Sequence, residues 1–145
     1  MYHLTSSAEF PFPDLLKRAK TALSNSYCPY SKFSVAAALL TEDGRIFTGV
    51  NVENASYGLT ICAERSAICT AVSEGYQKFK AIVVVTGSTS DECIGPCGAC
   101  RQFLAEFGTN WDVYFTRKDG SYMQCKVAEL LPHAFVPESL QKSNS

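Results

Sequence analysis

Cysteine stands at positions 62, 97 and 100 in two short segments, Cys62-Ala63-Glu64 and Pro96-Cys97-Gly98-Ala99-Cys100. Bringing these three sulfurs together restricts the chain more than anything else in its sequence. Each segment opens a stretch of helical periodicity. From Cys62 to Glu74 the set Ala63, Ala67, Ile68, Ala71 and Val72 recurs at helical spacing and stops at Gly75, a good terminator. Pro96 sits where a helix start tolerates proline, and Cys97 to Phe107 reads as helix up to Gly108. Cys97 and Cys100, three positions apart, then share one helix face and can reach one ion together. Thirty-five positions separate Cys62 from Cys97. That is room for a helix, the strand Ala81-Ile82-Val83-Val84-Val85 buried on both faces, and a loop that returns the second helix start to the first.

The remaining elements follow from the same patterns. Leu15, Leu16, Ala19, Ala22 and Leu23 predict an amphipathic helix ending near Ser24-Asn25. The apolar run Phe33 to Leu40 and the β-rich run Ile46 to Val52 flank the turn signal Glu42-Asp43-Gly44-Arg45 and read as a hairpin. Asp112 to Thr116 and Tyr122 to Lys126 flank Lys118-Asp119-Gly120 in the same way, and a short helix over Val127 to Leu131 follows. The expected class is α/β, a mixed five-stranded sheet with helices on both faces. No linker or repeat divides the chain, so residues 1–145 read as one domain with loose ends at 1–12 and 137–145.

Composition excludes several function classes. Net charge is −1, and the thirteen Lys and Arg residues are scattered. A polyanion binder wants a basic stripe, so a small uncharged substrate is expected and no nucleic acid polymer. No stretch approaches the roughly 18 to 20 apolar residues of a membrane span. Met1 to Phe12 does not read as a secretory signal, so a cytoplasmic setting is expected. There the seven cysteines stay reduced, which favours metal binding over disulfides. Cys28, Cys69, Cys93 and Cys125 then read as small buried hydrophobes, and His3 and His133 lie outside both motifs.

Three thiolates leave a tetrahedral Zn2+ one open position, the arrangement of a catalytic rather than a structural site. Zinc there acidifies water and so suits hydrolysis. The set carries one net negative charge, which helix N-termini and Arg65, directly after Glu64, could offset by hydrogen bonding to the sulfurs. With three cysteines on the ion, Glu64 fits a proton carrier better than a fourth ligand.

The motifs resemble the cytidine deaminase family in its compact tetrameric form. Cys28-Pro29-Tyr30-Ser31-Lys32-Phe33, Asn51-Val52-Glu53-Asn54-Ala55, Cys62-Ala63-Glu64-Arg65 and Gly108-Thr109-Asn110-Trp111 are similar to family segments, in family order, from about Tyr27 to Leu131 and more loosely to Leu140. The resemblance implies a three-layer α/β/α sandwich, one zinc per subunit held by Cys62, Cys97 and Cys100, and Glu64 as the catalytic group. It further implies a homotetramer with shared active sites. In that picture Asn51 and Glu53 bind the ribose 3'-hydroxyl, Phe33 lies beside the pyrimidine and the Ala63 backbone contacts the base. Tyr57 stands near an intersubunit wall, and Phe135 is contributed by a neighbour. Gly58-Leu59-Thr60-Ile61 and Ala36 depart from the usual family pattern without touching the metal motifs.

The implied reaction converts cytidine and deoxycytidine to uridine and deoxyuridine plus ammonia in pyrimidine nucleoside salvage. Two alternatives share the motifs. One is a deaminase of blasticidin-type nucleoside antibiotics. The other is a structural zinc or thiol module in which Glu64 only caps a helix.

Overall fold

The computed structural model describes residues 3–143. Five strands, β1 (Val35–Thr41), β2 (Ile46–Val50), β3 (Phe79–Thr86), β4 (Asp112–Thr116) and β5 (Tyr122–Lys126), form one sheet in the order β2-β1-β3-β4-β5. The hairpins β1/β2 and β4/β5 are antiparallel, β1/β3 is antiparallel, and β3/β4 is the parallel pair. That pair requires a crossover. The crossover is helix α3 (Gly98–Ala105), while α2 (Ala63–Ser73) joins β2 to β3. Helix α1 (Pro13–Ala22) precedes the sheet; α4 (Val127–Leu130) and α5 (Pro137–Ser143) follow it.

Strand alternation divides the core in two. Ala36, Ala38 and Leu40 of β1 and Val83 and Val85 of β3 face α1, whose Leu15, Leu16 and Ala19 cover them. Ala37, Leu39, Ile82 and Val84 point the other way, onto Ala67, Ile68 and Leu104 of α2 and α3. Period two in the strands and period 3.6 in the helices thus yield the expected three layers. Ala81 through Val85 are all buried, as a strand covered on both faces must be. Each large side chain there contributes roughly 1.5–3 kcal/mol by leaving water.

Helix α2 sits unusually close to β2. A Cβ on Gly49 would lie 2.3 Å from Ala67 N and 2.6 Å from Ala63 O. Both are backbone atoms of the helix that carries Glu64, and they cannot swing aside. Gly49→Ala is therefore expected to cost at least the roughly 1–3 kcal/mol typical of overpacking. A lowered melting temperature accompanied by lost activity would show it, and an unchanged melting curve would contradict the close contact.

Three expectations change. The strand expected from Phe33 begins at Val35. The Asn51 side chain accepts from Val35 N at 3.0 Å and donates to Phe33 O at 2.8 Å, so a side-chain amide occupies the place of a strand neighbour. The N-terminal stretch, expected to be loose, is pinned within the described residues. Thr5 pairs with Tyr122, and Phe10, 6% exposed, packs edge-on against Tyr114 and Tyr122 at 5.0 and 5.1 Å. An aromatic ring of that size needs cover and finds it at the sheet edge. The tail is helical over α5. Residues 1–2 and 144–145, also expected to be loose, lie outside the described residues. Finally, of the four cysteines expected to be buried, Cys69 is exposed on α2, Cys28 and Cys93 are only partly buried, and Cys125 is buried.

Candidate active site

Helices α2 and α3 lie on the same face of the sheet, and their first turns meet. The Sγ atoms of Cys62 and Cys97 are 3.9 Å apart, those of Cys97 and Cys100 are 3.6 Å apart, and all three lie within 4.8 Å of one another. Cys62 and Cys97 are the N-cap residues of α2 and α3, and neither side chain caps its helix. The unpaired N–H groups and positive ends of the helix dipoles therefore favour thiolates here.

Arg65 adds a cation. Its Nη2 donates to Cys62 Sγ at 3.3 Å, and its Nε is buried without a hydrogen-bond partner. The Cys62 thiol is drawn down to about 5, first by a hydrogen bond from the Cys100 thiol and then, against the cost of burial, by Arg65. The same sulfur–sulfur bond pushes Cys100 up. Two thiols competing for one proton are what a soft divalent cation resolves. Three closely grouped sulfurs, one already inclined to ionise, form a donor set that fits zinc. Neither His3 nor His133 joins the cluster.

Glu64 occupies the first turn of α2 and is only 4% exposed. Burial pushes its carboxyl above the usual range; its own backbone N–H and the Cys100 thiol oppose this more weakly. Glu64, Ala63, Cys62 and Cys97 line a cavity of about 180 Å3 whose other walls include Asn51, Thr60, Ile94 and Gly95. Beside it, with Thr60 common to both, a more open hollow of about 310 Å3 is lined by Tyr30, Ser31, Glu53 and Tyr57.

Asn51 and Glu53 both organise this region. Asn51, besides holding Phe33 and Val35, accepts from the Ser26 hydroxyl. Glu53 Oε1 accepts from Tyr30 N at 3.0 Å and Ser31 N at 3.1 Å, and Oε2 accepts from the Ser31 hydroxyl. These bonds hold its carboxyl below the usual range, the Ser31 hydroxyl foremost. Phe33 is half-buried and lines neither hollow. Tyr57 is 75% exposed with its ring 5.7 Å from that of Tyr30. Phe135 stands apart, 59% exposed, with its carbonyl held by Gln102 Nε2 at 2.7 Å. Thr60, Ile94 and Gly95 are wall residues that spacing alone did not single out, since loop positions carry no periodic signal.

Comparison with known proteins agrees with this geometry. Residues 13–116 match the cytidine and deoxycytidylate deaminase zinc-binding region. The chain is 53% identical over 122 residues to a "Probable cytidine deaminase" of Dictyostelium discoideum, covering 84% of this chain and 82% of that protein. It is 48% identical over 127 residues to the cytidine deaminase of Sporosarcina psychrophila, covering 87% and 92%. Among solved structures, the cytidine deaminase of Burkholderia pseudomallei superposes with a TM-score of 0.79 at 46% identity, covering 85% of this chain and 98% of the other. With the three sulfurs converging as that zinc-binding region requires, and with the match spanning most of the sequence, the chain belongs to the cytidine and deoxycytidylate deaminase family.

Proposed function

We propose that this protein is a zinc-dependent cytidine deaminase that converts cytidine and deoxycytidine to uridine and deoxyuridine with release of ammonia, in pyrimidine nucleoside salvage. The observation that carries this reading is the buried Glu64 carboxyl beside the three-cysteine cluster at the wall of a small cavity. Relatives named cytidine deaminase over most of the chain support it.

Cys62, Cys97 and Cys100 would hold the zinc, which would supply Lewis-acid chemistry able to make water nucleophilic near neutral pH. The chain's own residues do the rest. Glu64 takes a proton from the attacking water and delivers it to N3 of the pyrimidine, which draws electrons from C4. It then carries the hydroxyl proton to the exocyclic nitrogen as the C–N bond breaks and ammonia leaves. A carboxyl raised by burial suits both accepting and returning a proton. Arg65 holds the Cys62 sulfur and offsets part of the cluster's negative charge.

The paired hollows suit a nucleoside, the enclosed one for the base and the open one for the sugar. The Ala63 backbone contacts the base, while Phe33, expected beside the base, lines neither hollow and meets this region through its carbonyl, which accepts from Asn51 Nδ2. Asn51 and Glu53 take the ribose 3'-hydroxyl. Glu53 Oε2 accepts only from Ser31, so it retains a lone pair for a sugar hydroxyl. Loss of cytidine absorbance with stoichiometric ammonia release, measured beside a blasticidin-type substrate, tests the reading. Turnover of the antibiotic alone would overturn it.

The active assembly in this reading is a homotetramer in which Phe135 enters a neighbour's site near Tyr57. The exposure of both rings supports this, because large exposed aromatics commonly mark association surfaces. Phe135→Ala is expected to raise KM for cytidine about tenfold, the loss of one aromatic contact. Normal nucleoside binding by that variant would rule out a shared pocket. Among the described residues no helix is long and apolar enough to cross a membrane. The cluster needs reduced thiols, which favours a cytoplasmic setting.

A further inference from the structure

The loop between β3 and α3 furnishes the cavity wall at Ile94 and Gly95 and runs directly into the ligand turn at Pro96-Cys97. Two arginines hold it at different points. Arg101 donates from Nε to Pro96 O at 2.8 Å and from Nη1 to Leu130 O at 3.1 Å. It thereby fixes the peptide immediately before the first α3 ligand to the end of α4. Arg117, in the β4–β5 hairpin, donates from Nη1 to Asp91 O at 3.2 Å. Its Nε is shared between Ser121 Oγ at 2.6 Å and Asp119 Oδ1 at 3.3 Å, and Asp119 also takes the Ser121 backbone N–H at 2.9 Å. Between these anchors Cys93 packs on the core, and its sulfur accepts from the backbone N–H of Met123 in β5.

At its start the loop is held where Gly87 N–H donates to Ser34 O at 2.9 Å, and around Asp91 its other bonds are short-range. Ser88, Ser90 and Glu92 make only two-residue turns, each N–H bonding the hydroxyl two positions earlier. The first of these reaches back to Thr86 at the end of β3; the other two shape the loop without tying it to the sheet. A guanidinium fork bridging a hairpin and a loop carbonyl does tie it, and lysine cannot reproduce the fork.

We infer that Arg117, which touches neither cavity nor cluster, is a positioning residue for nucleoside binding: it sets the Ile94–Gly95 wall from the β4–β5 hairpin, while Arg101 separately anchors the metal turn. The anchors act on opposite sides of Gly95, so releasing the first leaves the second in place. Substrate affinity and metal retention are therefore separable in this loop. The inference rests on the deaminase reading, and the test is arranged so that the two fail differently.

The test compares the purified zinc-loaded protein with Arg117→Ala, Arg117→Lys and Arg101→Ala, reading kcat, KM, zinc per chain and the calorimetric Kd of uridine. Arg117→Ala is expected to raise KM and the uridine Kd together by about five- to tenfold, the loss of a charge-assisted hydrogen bond, with kcat within about twofold and zinc unchanged. Arg117→Lys recovers only part of that affinity. Arg101→Ala is expected to lower zinc content and kcat together. Unchanged KM and Kd in Arg117→Ala would overturn the inference, as would a parallel fall in its zinc and kcat. Should Arg117→Ala prove unstable, Asp119→Asn, which weakens the hold on Arg117 from the hairpin side, is expected to shift KM in the same direction, and no shift would count equally against it. Absence of cytidine turnover in the unmodified protein would instead refute the deaminase reading.

Discussion

Glu64→Gln is expected to lower kcat by about 10²- to 10⁴-fold, the range that a positioned proton carrier supplies, while zinc content and folding persist. Glutamine keeps the shape of the side chain and its place in the first turn of α2, so the cavity wall is retained. Its amide cannot accept a proton from water and return it to the ring. Folding should survive for a physical reason as well. Burial raises the Glu64 carboxyl, so the ionised form is the one the folded protein disfavours, and a neutral amide relieves rather than creates that strain. Rapid-quench turnover of cytidine, zinc analysis and a thermal melt on one preparation separate these effects. A variant that deaminates normally would remove Glu64 from the mechanism. One that loses zinc as well would make it a structural residue.

Cys100→Ala attacks the other half of the site and should have a different outcome. Cys100 is fully buried, and its sulfur is within 3.6 Å of Cys97 Sγ. Removing it leaves two sulfurs on separate helices, too few for a stable tetrahedral site. Zinc affinity should fall by more than the roughly 10–100-fold that losing an outer partner costs, and turnover should fall to background. The metal-to-chain ratio after dialysis is the decisive reading. Full zinc retention by Cys100→Ala would mean that the ion is held elsewhere.

These two variants also show why the site could be read from sequence and the pocket less so. Cys62, Cys97 and Cys100 lie at the starts of strongly periodic helices, and three-residue spacing already places two of them on one face. β4 and β5 have the bounds that the Asp112–Thr116 and Tyr122–Lys126 patterns predict, because a turn with Gly120 at φ 85° separates two clear runs. Asn51 was legible as polar and near a strand end. Its substitution for a strand neighbour of Phe33 and Val35 was not, because that depends on chain segments brought together only by folding. Phe10 was missed for a similar reason: one aromatic in a proline-containing stretch has no period, and its partners Tyr114 and Tyr122 lie more than a hundred positions away. Ile94 and Gly95 belong to a loop that two arginines on other elements hydrogen-bond, contacts no local pattern expresses.

The most direct test of the account is zinc per chain measured with cytidine absorbance loss on one sample, first as purified, then after chelation, then during stepwise return of zinc. About one zinc per chain is predicted, with activity abolished by chelation and restored in proportion to metal up to that ratio. Full deamination by thoroughly metal-free protein would contradict it.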